Sequence, residues 1–351
     1  MAMLPMLSDF PPRRIEVSIL VYPGFELLDA TGPASVFNTA NFILVQRAQA
    51  PAYGITIVSP TGGIVRSSSG VGVDTRRLSK EPPKNLHTFL IAGAEGEPLA
   101  AALKDPLICQ RAPRWAERST RYGSICAGTF VLAALQLIDG RRVASHWDAC
   151  RPLAAAFPKV RVEEDAIFIE DGNVWTSAGV TTGIDMALAM VGNDTSGAIA
   201  NDVAKRLVLY VRRPGHQPQV SPLLRAQRTA KGPFGDLINW VHLHLDQTLD
   251  VPTLAAQAKL SQRTFFRKFK ETMGETPAHL IESLRLDAAR VLLSQGLAIK
   301  LTAARVGLPS ARFARAFERR FGVSPRLYRK SHSPSATQEP AAKRACVSRT
   351  R

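Results

Sequence analysis

The chain has 351 residues and a formal net charge of +16. Its length is more than one ordinary core requires and predicts two domains, and no apolar run approaches membrane-spanning length. Its four cysteines, at positions 109, 126, 150 and 346, show no paired short spacing, so the sequence suggests neither a disulfide framework nor a cysteine zinc site. The opening MAMLPMLSDFPPRR lacks the apolar stretch of a signal peptide, so we expect a soluble cytoplasmic protein with no membrane partner.

Strand and helix patterns alternate in the first part of the chain. Residues 1–12 are expected to form a disordered leader, and Ile15–Tyr22 (IEVSILVY) is an apolar run typical of a buried strand. The segment PGFELLDATGPASVF then turns and opens a helix. Further strands are predicted at Ile55–Ser59, within Gly62–Val73 and at Thr88–Ala92. This alternation predicts an α/β sheet with helices on both faces.

The pattern continues through YGSICAGTFVLAALQLIDG, which predicts a strand, a sharp turn and a helix that ends near Gly140. Arg142–His146 is predicted as another strand, and a hairpin is expected to turn at Asp171-Gly172. The other predicted elements are strands at Val160–Glu163, Ile167–Glu170 and Val174–Ser177 and helices at Ala178–Val191 and Ile199–Val211.

Small residues surround Cys126 in the turn Ser124–Gly128 between a predicted strand and a predicted helix. This arrangement is typical of a nucleophile elbow, which holds a side chain exposed above a sheet edge. At a helix start, free backbone amides would favour a thiolate or an anionic ligand. The alternative is a buried cysteine that packs as a small hydrophobic residue. The local sequence alone gives these two interpretations equal weight.

A segment rich in Pro, Gly and Gln follows and is predicted to be a linker at residues 212–233. From Lys231 onward there are 21 basic and 9 acidic residues, so most of the positive charge lies in the C-terminal part. Such an excess predicts phosphate neutralisation and binding that weakens as salt rises. Residues 331–351 contain few large apolar groups and are expected to form a disordered basic tail.

The C-terminal part contains the same pattern twice: a short Ala-rich helix, a tight turn, a Ser and a helix rich in Arg and Phe. Ser261 is the predicted N-cap of the first basic helix and Ser310 that of the second. Phe265 and Phe269 form one apolar stripe, and Phe313, Phe317 and Phe321 form the other. Exposed arginines on short helices suit the major groove. The alternative is two ordinary amphipathic helices with solvated basic faces, which the matching turns and ends of the two copies disfavour.

Residues Phe234 to Lys330 resemble the AraC-type DNA-binding domain, a pair of helix-turn-helix units joined by a long helix. The motifs that carry the resemblance are SQRTFFRKFKETMGETP and RFARAFERRFGVSP. The resemblance implies a joining helix at Leu280–Gln295 and a DNA-binding domain at 234–330. Phe266, Thr302 and Leu308 depart from the family pattern. The candidate DNA contacts are Ser261, Gln262, Arg263, Thr264, Arg267, Lys268, Ser310, Arg312, Arg315 and Arg319.

Residues 13–211 resemble the PfpI / class I glutamine-amidotransferase-like superfamily, through VYPGFELLDATGPASVF, SICAGTFVLAALQLIDGRRVASHW and VWTSAGVTTGIDMALAMV. The resemblance implies a flavodoxin-like, mostly parallel sheet. The elbow cysteine falls on Cys126 and the acidic residue that faces it on Asp29, with Glu26 as the alternative. His146 and Trp147 match the family's "HW" and are implied to face the same pocket.

Ala127 stands where the peptidases of that superfamily have a His, so the chain should lack peptidase activity. Together the two resemblances indicate a GlxA-type transcriptional regulator, which implies a homodimer that binds promoter DNA and works with RNA polymerase in a bacterial nucleoid. The implied output is activation of a catabolic operon. A small-molecule effector such as an amine or amino acid is expected near Cys126, where a carboxylate at Asp29 and the Trp147 ring suit a cation.

Two alternatives remain for Cys126: a hydrolase or hydratase of a small substrate, and a redox sensor. We expect no catalytic residue, no cofactor and no metal site. The helical pair His242 and His244 has no further ligand beside it in sequence.

Overall fold

The computed structural model of the chain describes residues 14–209, 212, 213, 215, 217, 219–230 and 233–332. The leader predicted at 1–12, Cys346 and all but the first two residues of the tail predicted at 331–351 lie outside the described residues. In the part of the chain that the structure describes, no helix has the length and apolarity needed to cross a membrane.

The N-terminal part is an α/β structure built on one eight-stranded sheet with the strand order β3-β4-β2-β1-β5-β6-β10-β9. The six central strands are parallel, while β3 and β9 are antiparallel edge strands. A short parallel pair, β7 and β8, lies apart from it. The strands are β1 (Ile15–Leu20), β2 (Tyr53–Ser59), β3 (Gly63–Arg66), β4 (Gly72–Arg77), β5 (Leu86–Ile91), β6 (Arg121–Ile125), β7 (Arg142–Val143), β8 (Arg161–Val162), β9 (Phe168–Asp171) and β10 (Val174–Ser177).

Helices cover both faces of this sheet, as the alternating pattern predicts. They are α1 (Leu27–Gln46), α2 (Gly96–Lys104), α3 (Pro106–Arg118), α4 (Gly128–Ala134), α5 (Cys150–Ala156), α6 (Thr181–Asp194) and α7 (Gly197–Arg206). The side chains of β1 alternate between two cores, because Val17 and Ile19 pack with α1, α6 and α7 while Leu20 packs with α3 and α4. The sheet therefore separates two apolar layers, and the predicted fold class is confirmed.

Two predicted elements around the elbow are wrong in extent. The strand predicted at Arg142–His146 pairs only at Arg142–Val143. Beyond it the backbone bonds to side chains instead of a neighbouring strand, since the Ala144 N–H donates to the Thr176 hydroxyl at 2.8 Å. The helix predicted to end near Gly140 ends at Ala134, and turns with a left-handed residue at Gln136 (φ 58°) follow it.

Two further helices differ from the prediction, since α6 has the expected length but lies three residues later and α7 is shorter. The helix expected from Ala178 begins only at Thr181, because Gly179 and Val180 have positive φ values of 92° and 51°. Those values lie outside the right-handed helical region. The helix expected at Ile199–Val211 ends at Arg206. The predicted hairpin at Asp171-Gly172 is confirmed by the antiparallel pairing of β9 with β10.

Among the described residues from 219 to 332 the regular elements are all helices, organised around one long helix, α12. Its helices are α8 (Pro222–Thr229), α9 (Pro233–Leu243), α10 (Val251–Gln257), α11 (Gln262–Met273), α12 (Pro277–Ser294), α13 (Ile299–Arg305), α14 (Ser310–Phe321) and α15 (Pro325–His332). Phe265 and Phe269 of α11 pack in one core, and Phe313, Phe317 and Phe321 of α14 pack in another. Both predicted apolar stripes are therefore buried. The helix α8 lies inside the segment predicted as a linker, and Ala226 joins the first of these cores.

The two basic helices begin differently. Ser261 is the N-cap of α11 and its hydroxyl accepts from the Thr264 N–H at 3.3 Å, as predicted. The cap predicted at Ser310 is wrong, because Pro309 occupies the N-cap position and Ser310 is the first helical residue. Both helices end at a left-handed glycine, which is the usual residue there because it has no Cβ.

Candidate functional site

The two basic helices have the same length, which fixes their correspondence residue by residue. Each has twelve residues between its N-cap and its terminal glycine. Ser261 therefore corresponds to Pro309. An alignment of Ser261 with Ser310 would be displaced by one residue. In this alignment Arg267 corresponds to Arg315, whereas Arg312 corresponds to Thr264.

The outer face of α11 is basic and open to solvent. Gln262, Arg263 and Lys268 are exposed. The Arg267 guanidinium lies 3.2 Å from Glu271 one turn later, and both side chains are more than half exposed. Such an exposed i, i+4 pair contributes only about 0.3–0.5 kcal/mol, so Arg267 can exchange it for another acceptor.

The outer face of α14 carries three arginines in two different states. Glu282, on α12, accepts from the Arg312 guanidinium at 2.7 Å and from that of Arg319 at 2.9 Å. The carboxylate is one-fifth exposed, so it lies in the groove between the helices. Arg315 has no ion pair or side-chain hydrogen bond to any described residue, and it is exposed. Of the three arginines predicted as contacts on α14, Arg315 is thus the one without an ion pair to a described carboxylate.

The second feature is the Cys126 elbow, at the end of β6. Cys126 has a left-handed φ of 57°, which is unusual for a residue with a side chain. Its N–H donates to the Ser177 carbonyl at 3.0 Å, and its carbonyl accepts from the Ser145 hydroxyl at 3.1 Å. A Cβ at Gly179 would lie 2.8 Å from the Cys126 sulfur, so only glycine fits beside the thiol. The strand, turn and helix of a nucleophile elbow are present.

Asp29, on α1, lies against the elbow and is fully buried. Its two carboxylate oxygens accept from the backbone N–H groups of Gly93 at 3.0 Å and Val180 at 2.8 Å. Val180 has a strained positive φ for a β-branched residue, and its bond to Asp29 holds that conformation. The chain thus brings Asp29, Cys126 and Ala127 together around Gly93. Glu26, the alternative to Asp29, instead accepts from the Ser68 hydroxyl at 3.2 Å.

Burial dominates the protonation of this site. It raises the pKa of Asp29 to about 7, although the two backbone hydrogen bonds act in the opposite direction. Burial, followed by the nearby Asp29 carboxylate, also raises the pKa of the Cys126 thiol above its ordinary value. Cys126 is 5% exposed. A backbone hydrogen bond from Ala127 acts in the opposite direction, but burial outweighs it. The thiol is therefore protonated at neutral pH and is not the thiolate that nucleophilic chemistry requires.

The two aromatic residues predicted for the pocket follow Ser145, which is itself bonded to the Cys126 carbonyl. The rings of His146 and Trp147 lie 5.4 Å apart, and Trp147 is 44% exposed. His146 is half-buried. His146 and Trp147 thus lie toward the surface, directly after Ser145, the residue that contacts the elbow.

Two nearby glutamines make hydrogen bonds to this segment and to the helical part, respectively. The Gln219 side-chain amide donates to the Ser145 carbonyl at 2.8 Å and to the Ala166 carbonyl at 3.1 Å. Two residues earlier, Gln217 accepts a hydrogen bond from Arg290 of α12. The segment predicted to be a linker therefore connects the elbow region with the joining helix. A cleft of about 710 Å³ lies beside it, between Glu163–Asp165 and the faces of α12 and α14.

Sequence reasoning missed several residues that build these sites. Gly179, Val180 and Gln219 shape or anchor the elbow region. Gly179 and Val180 lie inside the quoted motif VWTSAGVTTGIDMALAMV, but that motif did not reveal their contacts with Cys126 and Asp29. Glu282 is one acidic residue in an amphipathic helix, so its contacts with α14 appear only in the folded chain. No group of three or more potential metal ligands occurs in the described ranges.

Comparisons with known proteins agree with both parts of the chain. Residues 15–193 match the family model of the DJ-1/PfpI family, and residues 254–331 match that of a helix-turn-helix domain. The HTH-type transcriptional regulator CdhR of Pseudomonas aeruginosa is 29% identical over 308 residues, which cover 87% of this chain and 89% of CdhR. The HTH-type transcriptional regulator GlxA of Rhizobium meliloti is 29% identical over 330 residues, covering 91% of this chain and 97% of GlxA.

An enzyme is also similar to the N-terminal part. The isonitrile hydratase of Pseudomonas putida is 28% identical over 189 residues, which cover 52% of this chain and 75% of that enzyme.

Proposed function

The chain belongs to the DJ-1/PfpI family, and on that premise we propose that it is a sequence-specific DNA-binding transcriptional regulator and not an enzyme. The observation that carries the proposal is the pair of twelve-residue basic helices, each ending at a left-handed glycine and joined by an eighteen-residue helix. The joining helix is about 27 Å long, which suits two recognition helices in successive major grooves about 34 Å apart. Two relatives named as HTH-type transcriptional regulators align over most of this chain.

The arginines of the two helices differ in the DNA contacts they can make. Arg263, Arg267 and Arg315 are exposed and can present their guanidinium groups to guanine edges. Arg312 and Arg319 each donate to Glu282, so DNA must share these guanidinium groups with a carboxylate. Lys268 lies on a different side of α11 and is positioned for a phosphate. The first recognition helix and Arg315 therefore supply most of the base contacts.

For the α/β part, the proposed role is to bind a small-molecule effector beside Cys126. The exposed Trp147 ring suits a cationic amine, or the amino group of an amino acid. Asp29 is fully buried, and each of its carboxylate oxygens already accepts from a backbone N–H group. It acts by holding the Gly93 and Val180 segments around the elbow. Effector binding would reach the DNA-binding helices through the Gln219 and Gln217 contacts. Homodimerisation, activation of a catabolic operon and contact with RNA polymerase belong to the same proposal.

Hydration or hydrolysis of a small substrate is the second candidate function. It is favoured by the similarity to an isonitrile hydratase and by the proximity of Asp29 to the Cys126 elbow. The protonated, buried thiol argues against it. Turnover of an isonitrile by the purified chain, abolished in the Cys126→Ser variant, would establish this activity. Absence of turnover by the wild-type chain would remove it.

Selection from a pool of randomised DNA duplexes tests the leading proposal. The full-length chain should enrich one sequence with two conserved segments about 10 base pairs apart. The Arg267→Ala variant should lose preference at one base pair of one segment, and the Arg315→Ala variant at one base pair of the other. Arg305, exposed on α13 and outside both recognition helices, supplies the control substitution Arg305→Ala, which should keep both preferences. If the wild-type chain enriches no sequence, the proposal fails.

A further inference from the structure

One large apolar side chain on the first recognition helix is exposed. Three phenylalanines lie on α11, and Phe265 and Phe269 are almost completely buried, at 0% and 2% exposure. They pack against Phe234 in the core beneath the helix. Phe266 remains 42% exposed and is absent from that core cluster. The fold of the helical part therefore does not account for an aromatic ring at this position.

The position of Phe266 on the helix places it beside the proposed base-reading arginines. At 3.6 residues per turn, Phe266, Arg263 and Arg267 fall within an arc of about 100°. Lys270, one turn after Phe266, lies within the same arc and is exposed. The ring is thus bordered by cationic side chains on a face whose charge is complementary to DNA.

The major groove offers one apolar group to such a ring. Base edges there present hydrogen-bond donors and acceptors, with the C5-methyl group of thymine as the exception. We propose that Phe266 is a specificity-determining residue that packs against a thymine methyl group, next to the base contacts of Arg263 and Arg267. The inference rests on the proposed DNA-binding function and names the base that this surface prefers.

The second recognition helix lacks an equivalent group. The position that corresponds to Phe266 is Ala314, which is also exposed but presents only a methyl group. The two conserved segments of the DNA site should therefore differ, and the dependence on a thymine methyl should be confined to the segment read by α11.

The experiment replaces thymine by deoxyuridine, which removes only the methyl group. Each thymine of the selected duplex is replaced in turn, and the dissociation constant of the full-length chain is measured by fluorescence anisotropy. At one thymine in the α11 segment, the wild-type chain should lose about fourfold in affinity, the equivalent of one buried methyl group. The Phe266→Ala and Phe266→Gln variants should bind the thymine and deoxyuridine duplexes equally well.

A matched control is available at Phe42, which is 41% exposed on α1 of the α/β part. The Phe42→Ala variant should keep the full fourfold dependence on the methyl group. The inference is overturned if no thymine in the α11 segment is sensitive to the replacement. It is also overturned if the Phe266 variants keep the sensitivity at the same base. A wild-type chain that selects no sequence contradicts the proposed function itself, whereas a selected site without methyl dependence contradicts only the role of Phe266.

Discussion

Replacing Glu282 by glutamine should strengthen DNA binding and make it more sensitive to salt. In the free chain, the Glu282 carboxylate accepts from Arg312 at 2.7 Å and from Arg319 at 2.9 Å, two turns apart on α14. DNA must compete with this carboxylate for both guanidinium groups. The Glu282→Gln variant keeps the size of the side chain and removes the competing charge.

The magnitude follows from the exposure of the two pairs. The guanidinium groups are 65% and 73% exposed, so each ion pair is worth about 0.2–1 kcal/mol. Removing both should lower the free energy of DNA binding by about 0.4–2 kcal/mol, which is roughly two- to thirtyfold in affinity. If both released arginines reach phosphates, the slope of log K against log salt should become more negative by up to about 1.8.

The assay is a salt titration of binding to the selected duplex by fluorescence anisotropy. Glu318→Gln is the matched control, because Glu318 is exposed on α14, the helix of Arg312 and Arg319, and its side chain has no partner among the described residues. It removes the same charge without releasing an arginine, so its salt slope should equal that of the wild-type chain. Adding Arg312→Ala and Arg319→Ala to the Glu282→Gln variant should abolish the steeper slope. If the Glu282→Gln variant binds DNA with unchanged or weaker affinity, Glu282 does not compete with DNA for the two arginines.

Three further predictions concern the base contacts and the elbow. The Arg267→Ala variant should lose about 1–3 kcal/mol of binding free energy and relax preference at one base pair. The Lys268→Ala variant should instead bind all sequences more weakly by the same factor. Anisotropy on single-base variants of the duplex measures both effects. The pKa of Asp29 is about 7 in the folded chain and 3.8 ordinarily. Protonated Asp29 therefore adds up to about 4 kcal/mol to the free energy of unfolding below about pH 4, and this contribution is lost as the pH rises through 7. Urea unfolding of the Asp29→Asn variant should lack this dependence, and identical pH profiles would contradict the assignment. Because burial raises the pKa of Cys126, iodoacetamide at pH 7.5 should label it far more slowly in the folded than in the unfolded chain, and equal rates by mass spectrometry would show a reactive thiolate.

Much of the fold follows from periodicity and capping signals in the sequence. The apolar run at Ile15–Tyr22 predicts the central strand, and the spacing of Phe265 and Phe269 predicts the buried side of α11. Local signals fail where the backbone leaves ordinary conformations. Nothing in the sequence shows that Val180 adopts a positive φ, because a bond to Asp29, 151 positions away, stabilises that conformation.

Site residues within one segment could be predicted from the sequence. Contacts between segments that are distant in sequence could not. The elbow at Cys126 follows from its small neighbours, and the resemblance to a known family supplied Asp29. The restraint of Arg312 by Glu282 depends on how α12 packs against α14, which no local pattern reports. The register of the second helix was also misplaced by one residue. A serine after a tight turn usually caps a helix, but here Pro309 precedes it and takes that position.

Genome-wide mapping of DNA binding by the tagged chain in its own host tests the central claim most directly. Site-specific recognition by two basic helices predicts a small set of sharp peaks that share one two-part sequence upstream of a metabolic operon. In the Arg267→Ala and Arg315→Ala variants these peaks should disappear at equal protein levels. Diffuse binding that both variants retain would contradict sequence-specific regulation and leave the Cys126 site to be assayed as an enzyme.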